Sequence, residues 1–215
     1  MNSTNGAELT HVQPKCAWLR INCYLLAKRM FDVFGALLAC ILLLAPSFVI
    51  VLLIKLDSTG PAIFRQERLG LRGKPFVIYK FRTMKMDAEA NGPMLATKND
   101  SRCTKIGSIL RKLRIDEWPQ FWNVLKGDMS IVGPRPERAC FYTELSKSLP
   151  RFSERLAIKP GLTGYAQTFG GLELEHSDKL RFDLFYLENC SLLLDLRCIM
   201  KTARVLLSLL RDTHG

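Results

Sequence analysis

The sequence predicts an α+β protein that is mostly helical, with a short β-sheet or hairpin, an N-terminal re-entrant membrane helix and amphipathic interfacial helices. Three observations support this class. Residues 33–54 form an uncharged apolar run of 22 residues. Residues 76–84 are rich in aromatic and β-branched side chains, which favours a strand. Residues 105–113 and 191–210 repeat apolar side chains at helical spacing, and cations oppose the apolar face of the second segment.

The composition indicates a folded protein with an anionic partner. The chain has 215 residues, of which 48% are hydrophobic, and its formal net charge is +11. Such a basic balance suits nucleic acid, an acidic membrane surface or a phosphorylated substrate. The seven cysteines form no CxxC pair and no zinc spacing, which favours reduced thiols facing the cytoplasm. The histidines are widely separated, which argues against a histidine-based metal site.

The apolar run at residues 33–54 is long enough to cross a bilayer, so a single spanning anchor is the simplest interpretation. Two features favour a re-entrant helix instead. Pro46 lies inside the run, where it removes a backbone hydrogen bond, so we expect a kink or break there. Both flanks are basic, and a helix that bends and returns keeps both on the cytoplasmic face.

The chain divides into four parts by composition. We expect a flexible N-terminus over residues 1–27, the membrane helix over 28–56, a cytoplasmic domain over 57–210 and a tail over 211–215. The predicted strands of the domain are residues 62–66, 76–84 and 130–134, and its predicted helices are residues 105–113, 118–125, 146–156, 177–187 and 191–210.

Asp116 and Glu117 are adjacent acids that follow the helix carrying Arg111. Paired carboxylates beside fixed cations suit chemistry on a phosphate, although most such pairs are solvated surface. The cations attract an anionic substrate that the acids would repel, so we expect Mg²⁺ between them. One acid can then hold the metal while the other attacks phosphorus, so both are candidate metal ligands and catalytic residues.

Three more cations are candidate phosphate ligands, alongside Arg111. Lys80 and Arg82 alternate in a predicted strand, so they share a face about 6.6 Å apart, a spacing that suits a pyrophosphate. The alternative is a solvated strand face. Arg135 lies between two prolines that stiffen the backbone, and its guanidinium suits phosphate oxygens. The alternative is a structural turn whose arginine faces water.

Nine motifs carry a resemblance to a known family. In chain order they are Lys28-Arg-x-x-Asp32, Phe64-Arg-Gln66, Gly73-Lys-Pro-Phe76, Lys80-Phe-Arg-Thr-Met84, Leu110-Arg-Lys112, Asp116-Glu-x-Pro-Gln120, Asn123-Val-Leu-Lys-Gly-Asp-Met-Ser130, Val132-Gly-Pro-Arg-Pro136 and Lys159-Pro-Gly-Leu-Thr-Gly164. From about Lys28 to about Leu207 the chain resembles the bacterial sugar transferases, which are small monotopic polyprenyl-phosphate phosphoglycosyl transferases.

The resemblance implies a catalytic domain that transfers a sugar 1-phosphate from a nucleotide sugar, such as a UDP-sugar, to undecaprenyl phosphate. It implies Asp116 as the nucleophile and Glu117 as its partner with Mg²⁺. It also implies a re-entrant helix, a bacterial inner-membrane location and an initiating step in polysaccharide or glycan synthesis. Anionic lipids are expected partners, and downstream glycosyltransferases or a second copy of the chain are further candidates.

Two positions depart from the family pattern. Ala45 precedes Pro46 where relatives have serine, and Ser47 is the candidate substitute. Gly171 stands where the family often has a basic residue, and Lys179 or Arg181 could supply that cation. Two other functions stay open: a membrane-tethered nucleic-acid binder and an inactive assembly scaffold. No helix-turn-helix, zinc or RNA-binding signature is present, so we expect no nucleic-acid partner.

Overall fold

The structure is a computed structural model that describes residues 18–90, 92–94, 97, 100–170 and 174–211. Predictions for residues 1–17, for residues 212–215 and for Gly171 lie outside this part of the chain. The helices and strands are α1 (Trp18–Asp57), β1 (Ile63–Leu69), β2 (Pro75–Phe81), α2 (Lys105–Lys112), α3 (Gln120–Lys126), β3 (Ser130–Val132), α4 (Ala139–Ser148), β4 (Gly161–Thr163), α5 (His176–Asn189) and α6 (Leu192–Arg211). The predicted class, mostly helical with a short hairpin, is confirmed.

Helix α1 is the longest element, with 40 residues. It begins at Trp18, earlier than the predicted start at residue 28, because its first turns have partners on α6. The backbone stays helical through Pro46, so the predicted break does not interrupt the helix. Its span Cys23–Asp57 is the one helix of the described chain that is long and apolar enough to cross a membrane.

The two ends of α1 both pack against the rest of the protein. Near the first end, Asp32 is buried and accepts hydrogen bonds from Ser130 Oγ (3.1 Å) and from the Ile131 N–H (2.9 Å). Near the second end, Ile50 and Ile54 enter a core cluster with residues of β2 and α2. No residue of the stretch 37–49 is buried. The helix is therefore attached at both ends and bare in the middle.

A buried carboxylate joins the start of α1 to α5 and α6. Asp195 accepts hydrogen bonds from Tyr24 Oη (3.1 Å), Lys28 Nζ (2.9 Å) and Tyr186 Oη (2.5 Å). Its side chain is 3% exposed. A buried carboxylate is tolerated only when its oxygens are paired, and here three donors from two other helices supply that pairing.

Two small sheets lie beneath α1. Strands β1 and β2 form the predicted antiparallel hairpin, with Ile63 opposite Phe81 and Leu69 opposite Pro75. Strands β3 and β4 pair in parallel, which the sequence did not indicate. The parallel pair is very close, because a Cβ added at Gly161 would lie 2.1 Å from the backbone nitrogen of Gly133. This approach fixes the loop that follows β3.

The prediction of a helix over residues 146–156 is wrong. Helix α4 lies earlier, at Ala139–Ser148, and a short 3₁₀ helix occupies Phe152–Ala157. Pro150 has no N–H to continue the helical ladder, and Arg151 adopts a left-handed conformation with φ of 67°. The apolar residues keep their helical spacing across this corner. The sequence therefore predicts one helix where the structure has two short ones.

We expect Asp195→Ala to destabilise the protein strongly, because it removes the acceptor shared by Lys28, Tyr24 and Tyr186 and leaves the largely buried Lys28 without its ion pair. Removing one member of a buried charged pair costs about 3–5 kcal/mol, which lowers Tm by about 6–20 °C in a chain of this size. Thermal unfolding in detergent measures the shift.

Asp178→Ala is the matched control for that experiment. Asp178 faces Arg181 at 3.8 Å, and both side chains are largely exposed. Exposed pairs contribute about 0–1 kcal/mol, so Tm should change by only a few degrees. Equal shifts in the two variants would contradict the role assigned to Asp195.

Candidate active site

The acid pair lies at a tight corner between α2 and α3. Thr104 Oγ1 caps α2 by accepting from the Gly107 N–H at 3.0 Å. After α2 ends, Arg114 adopts a left-handed conformation with φ of 55°, which turns the chain inward. Asp116 and Glu117 follow in a single 3₁₀ turn and are each 8% exposed. The pair is therefore buried, and the surface interpretation does not hold.

Close packing brings this corner beside strand β2. A Cβ added at Gly107 would lie 2.0 Å from the carbonyl oxygen of Thr83, so only glycine allows α2 to approach so closely. On the other side, the buried amide of Asn123 on α3 accepts from the Tyr79 N–H at 3.1 Å and donates to the Val77 carbonyl at 2.7 Å. These contacts hold Lys80 opposite the acids.

Glu117 is held by two cations. Its Oε1 accepts from Lys80 Nζ at 2.9 Å and from Arg135 Nη2 at 2.7 Å. Burial alone would raise the pKa of Glu117, but the charges of Arg135 and Lys80 outweigh burial and hold this pKa well below its usual range. Glu117 is therefore ionised at every physiological pH.

Asp116 has a different environment although it is the next residue. Its nearest cation is Lys80, whose Nζ lies 3.8 Å from Asp116 Oδ2, and no hydrogen bond to its carboxylate is found within the described residues. Burial raises the pKa of Asp116 to about 6, while the charge of Lys80 opposes this rise and that of Glu117 adds to it. Two neighbouring acids with separated pKa values are typical of groups with different catalytic roles.

Arg135 reaches the dyad from the loop after β3. Its backbone carbonyl accepts from Arg155 Nη2 at 3.1 Å, and the Pro134 carbonyl accepts from the Gly161 N–H at 2.8 Å. The prolines on both sides restrict the backbone further. The loop is therefore well fixed, and Arg135 enters the site already ordered.

Arg82 lines the larger of the two cavities beside the acid pair, but its guanidinium is already bound by protein groups. Arg82 is 5% exposed, and it donates to the Ser58 carbonyl (2.7 Å), to Ser58 Oγ (2.8 Å) and to the Thr59 carbonyl (2.6 Å). Strand β2 ends at Phe81, so the alternation that placed Arg82 beside Lys80 stops one residue too early. Arg82 holds the connection between α1 and β1.

Two cavities meet at the acid pair. A polar cleft of about 250 Å³ lies between the dyad and α5, and an apolar cavity of about 800 Å³ lies on the other side, towards α1. Four side chains line both cavities: Arg68, Lys80, Arg111 and Asp116. Arg111 also contacts Cys103 Sγ at 3.2 Å, and we find no carboxylate partner for it within the described residues. Three of the four predicted phosphate ligands, all but Arg82, therefore surround the dyad.

Three residues of the polar cleft had no role in the sequence analysis or only a tentative one. Gln167 is 8% exposed, and both polar atoms of its amide lack a hydrogen-bond partner in the described chain. His176 and Lys179 come from α5. Lys179 is the cation that could replace the basic residue absent at Gly171, whereas Arg181 is 73% exposed and pairs with Asp178.

The dyad offers suitable ligands for Mg²⁺. No cluster of three metal-binding side chains is found among the described residues. However, the Asp116 carboxylate and the second oxygen of Glu117 have no hydrogen-bond donor there. Mg²⁺ commonly takes one or two carboxylates and completes its shell with waters and substrate phosphates. The donor set therefore fits this ion.

The chain matches the family model for bacterial sugar transferases over residues 23–209. It is 41% identical over 188 residues to the UDP-N-acetylgalactosamine-undecaprenyl-phosphate N-acetylgalactosaminephosphotransferase of Aeromonas hydrophila, covering 86% of this chain and 44% of that protein. It therefore spans less than half of the length of that relative.

Two other relatives are covered more completely. The putative undecaprenyl-phosphate N-acetylgalactosaminyl 1-phosphate transferase of Bacillus subtilis is 50% identical over 133 residues, covering 62% of this chain and 74% of that protein. The UDP-glucose:undecaprenyl-phosphate glucose-1-phosphate transferase of Caulobacter vibrioides is 42% identical over 188 residues, covering 85% of this chain and 70% of that protein. Because the family model covers nearly the whole chain, this protein belongs to the bacterial sugar transferase family.

Proposed function

We propose that the protein transfers a sugar 1-phosphate from a UDP-sugar to undecaprenyl phosphate, giving an undecaprenyl-diphosphate sugar and UMP. The observation that carries the proposal is the carboxylate of Asp116. It is buried among cations, it has no hydrogen-bond donor in the described chain, and it faces both cavities. The names of the relatives support the two substrates, and they differ in the sugar.

In the first step, an oxygen of the Asp116 carboxylate attacks the phosphorus that carries the sugar. The bond between this phosphorus and the oxygen that bridges the two phosphates breaks, and UMP leaves with that oxygen. The sugar phosphate then remains attached to Asp116 as an acyl phosphate. Asp116 is suited to this role because its lone pairs are not already committed to fixed donors.

In the second step, a phosphate oxygen of undecaprenyl phosphate attacks the same phosphorus. The bond to Asp116 breaks, the carboxylate is regenerated, and the lipid diphosphate sugar leaves. No net proton is taken up or released by the transfer. The two steps together exchange one phosphoanhydride bond for another, so neither needs an additional energy source.

The neighbouring groups balance the charge of these steps. Lys80 and Arg111 face both cavities and can bind the phosphate oxygens of either substrate. Glu117 keeps Lys80 and Arg135 oriented through its two ion pairs. Mg²⁺ held by Asp116 and Glu117 would supply further neutralisation of the phosphate charge.

The packing of α1 supports the re-entrant interpretation. The two buried attachment points, Ala36 and Ile50, are 14 residues apart, which is about 21 Å at the rise of an α-helix. The hydrocarbon core is about 30 Å thick. A helix that crossed it could not keep both points on one domain outside the core, so we propose that α1 enters and leaves on the cytoplasmic side.

The proposed location is the bacterial inner membrane, with the catalytic domain facing the cytoplasm. Exposed leucines on one side of α6, such as Leu193, Leu196 and Leu207, suit contact with lipid near the interface. Undecaprenyl phosphate stays in the membrane, so the catalytic domain must lie at the membrane surface to reach it. The reaction would begin the synthesis of an exopolysaccharide, capsule, O-antigen or glycoprotein glycan.

The two alternatives have weaker support. A nucleic-acid binder has no use for a buried acid pair at the meeting point of two cavities. An inactive scaffold would not need Glu117 to be held by two cations while Asp116 stays uncommitted. A nucleic-acid binder also leaves the family match over residues 23–209 unexplained.

We expect Asp116→Asn to abolish turnover, because an amide cannot form the phosphosugar adduct. The loss should be about 10⁴-fold or more, as for other covalent nucleophiles. UMP release is measured with undecaprenyl phosphate, Mg²⁺ and a panel of UDP-sugars, and mass spectrometry detects the adduct on Asp116. As a control, Asp178→Asn changes an acid that faces the exposed Arg181 and should retain activity. Wild-type activity in Asp116→Asn would overturn the assignment.

We expect the Lys80→Met variant to need a higher pH for activity. Asp116 must be ionised to attack, and its pKa is raised to about 6 against the lowering charge of Lys80. Removing this charge raises the pKa further, so the acid limb of kcat/KM moves to higher pH. Lys112→Met, which removes an exposed cation, should leave the limb in place. A shift to lower pH in Lys80→Met would contradict this electrostatic role.

Cysteine labelling tests the path of α1. Met30 and Leu56 are exposed residues on the two flanks, 67% and 85% exposed, and Leu44 lies between them. In a variant without native cysteines, Met30→Cys and Leu56→Cys should both resist an impermeant maleimide in intact cells and react after the membrane is opened. Leu44→Cys should stay unlabelled both in intact cells and after the membrane is opened. Labelling of one flank from outside would show a spanning helix.

A further inference from the structure

We propose that the apolar cavity beside the dyad is the acceptor groove, which binds the phosphate-bearing end of an isoprenoid chain. The proposal rests on the function proposed above and assigns one of the two cavities to one of the two substrates. It places the acceptor phosphate at Lys80 and Arg111, and the first isoprene units along the apolar wall.

Apolar side chains from several elements line much of the groove, and further cations such as Arg65, Lys85 and Arg138 line the rest. Val51 comes from α1, Ile63 and Phe64 from β1, Met86 from the segment after β2, and Phe141 from α4. Phe64 is 41% exposed and Met86 is 66% exposed, although both line a concave surface. Uncovered apolar side chains around a cavity indicate a ligand that buries them.

The inner end of the groove is charged. Lys80, Arg111 and Asp116 lie there, and they also line the polar cleft. An anionic headgroup at this end would meet two cations and would lie next to the carboxylate that carries the sugar phosphate. A cavity that combines apolar side chains with cations complements a lipid phosphate better than it complements a free sugar.

The outer end of the groove is continuous with the membrane helix. Val51 belongs to the apolar run of α1, and its neighbours Leu52 and Leu53 are 48% and 41% exposed. A lipid chain can therefore pass from the bilayer into the groove without exposing apolar surface to water. The cavity of about 800 Å³ is comparable to the pocket of a drug-sized ligand, so it would hold only the first part of a long chain.

The polar cleft on the opposite side of Asp116 suits the other substrate. Gln167 presents a buried amide without a protein partner, and His176 and Lys179 lie nearby in the same cleft. Buried polar groups without partners favour a ligand with hydroxyl and phosphate oxygens. The donor and the acceptor would then approach Asp116 from two sides, and the lipid product would leave along the groove towards the bilayer.

The test separates the two half-reactions in full-length protein reconstituted in lipid nanodiscs. UMP release without acceptor reports the donor step, and turnover against the concentration of undecaprenyl phosphate reports the acceptor. We expect Phe64→Gln to raise the acceptor KM about tenfold, which corresponds to about 1.4 kcal/mol, and to leave the donor step unchanged. Phe185→Gln changes an aromatic residue that is 43% exposed and does not line the groove, so it should change neither quantity.

A second measurement uses the wild-type protein and does not depend on how the variant folds. An isoprenoid phosphate with a diazirine in its first isoprene unit should crosslink to residues 62–69 or to Met86. An unchanged acceptor KM in Phe64→Gln would overturn the assignment of the groove to the acceptor. Labelling only at the cleft around Lys179 would overturn it as well. Absence of the donor step in the wild-type protein would instead overturn the proposed function.

Discussion

The carboxylate of Glu117 holds the candidate active site together, because it binds cations from two distant parts of the chain. Lys80 comes from β2 and Arg135 from the loop after β3, and both reach the same oxygen, at 2.9 Å and 2.7 Å. A buried carboxylate is stable only when cations or hydrogen-bond donors pair with it, and both cations do so here. This contact joins the hairpin, the acid corner and the parallel strand pair, so the site depends on the whole domain rather than on one motif.

The same contact explains why two adjacent acids can have different roles. Glu117 takes up the nearby cations and stays ionised, whereas Asp116 stays buried with few partners. A carboxylate that already accepted two strong hydrogen bonds would be a poor nucleophile, because it would lose them in the attack. A carboxylate with no partner at all would be difficult to ionise. Asp116 lies between these limits, since Lys80 is close enough to stabilise its charge but, at 3.8 Å, is not bonded to it.

Local patterns in the sequence predicted the hairpin, α2 and the residues around the dyad, because these features depend on neighbouring residues. The features that local patterns could not predict depend on contacts between distant residues. Arg82 has the right spacing from Lys80, but the strand ends before it and carbonyls after α1 bind its guanidinium. Nothing in the sequence near Gln167, apart from the motif that contains it, indicates that its side chain is buried beside the acid pair. Its buried amide becomes significant only when the 3₁₀ turn that contains it lies beside the dyad.

The attachment of α1 has a consequence for biosynthesis. Lys28 bonds to Asp195 across 167 residues of chain, and Asp32 bonds to Ser130 across 98. Helix α1 leaves the ribosome long before either of these polar partners does. Until then Lys28 and Asp32 must stay hydrated at the bilayer surface, and contacts of such long sequence separation form late and slowly. A chain truncated before α6 would therefore keep α1 without the buried partner of Lys28, so completion of this domain depends on α6.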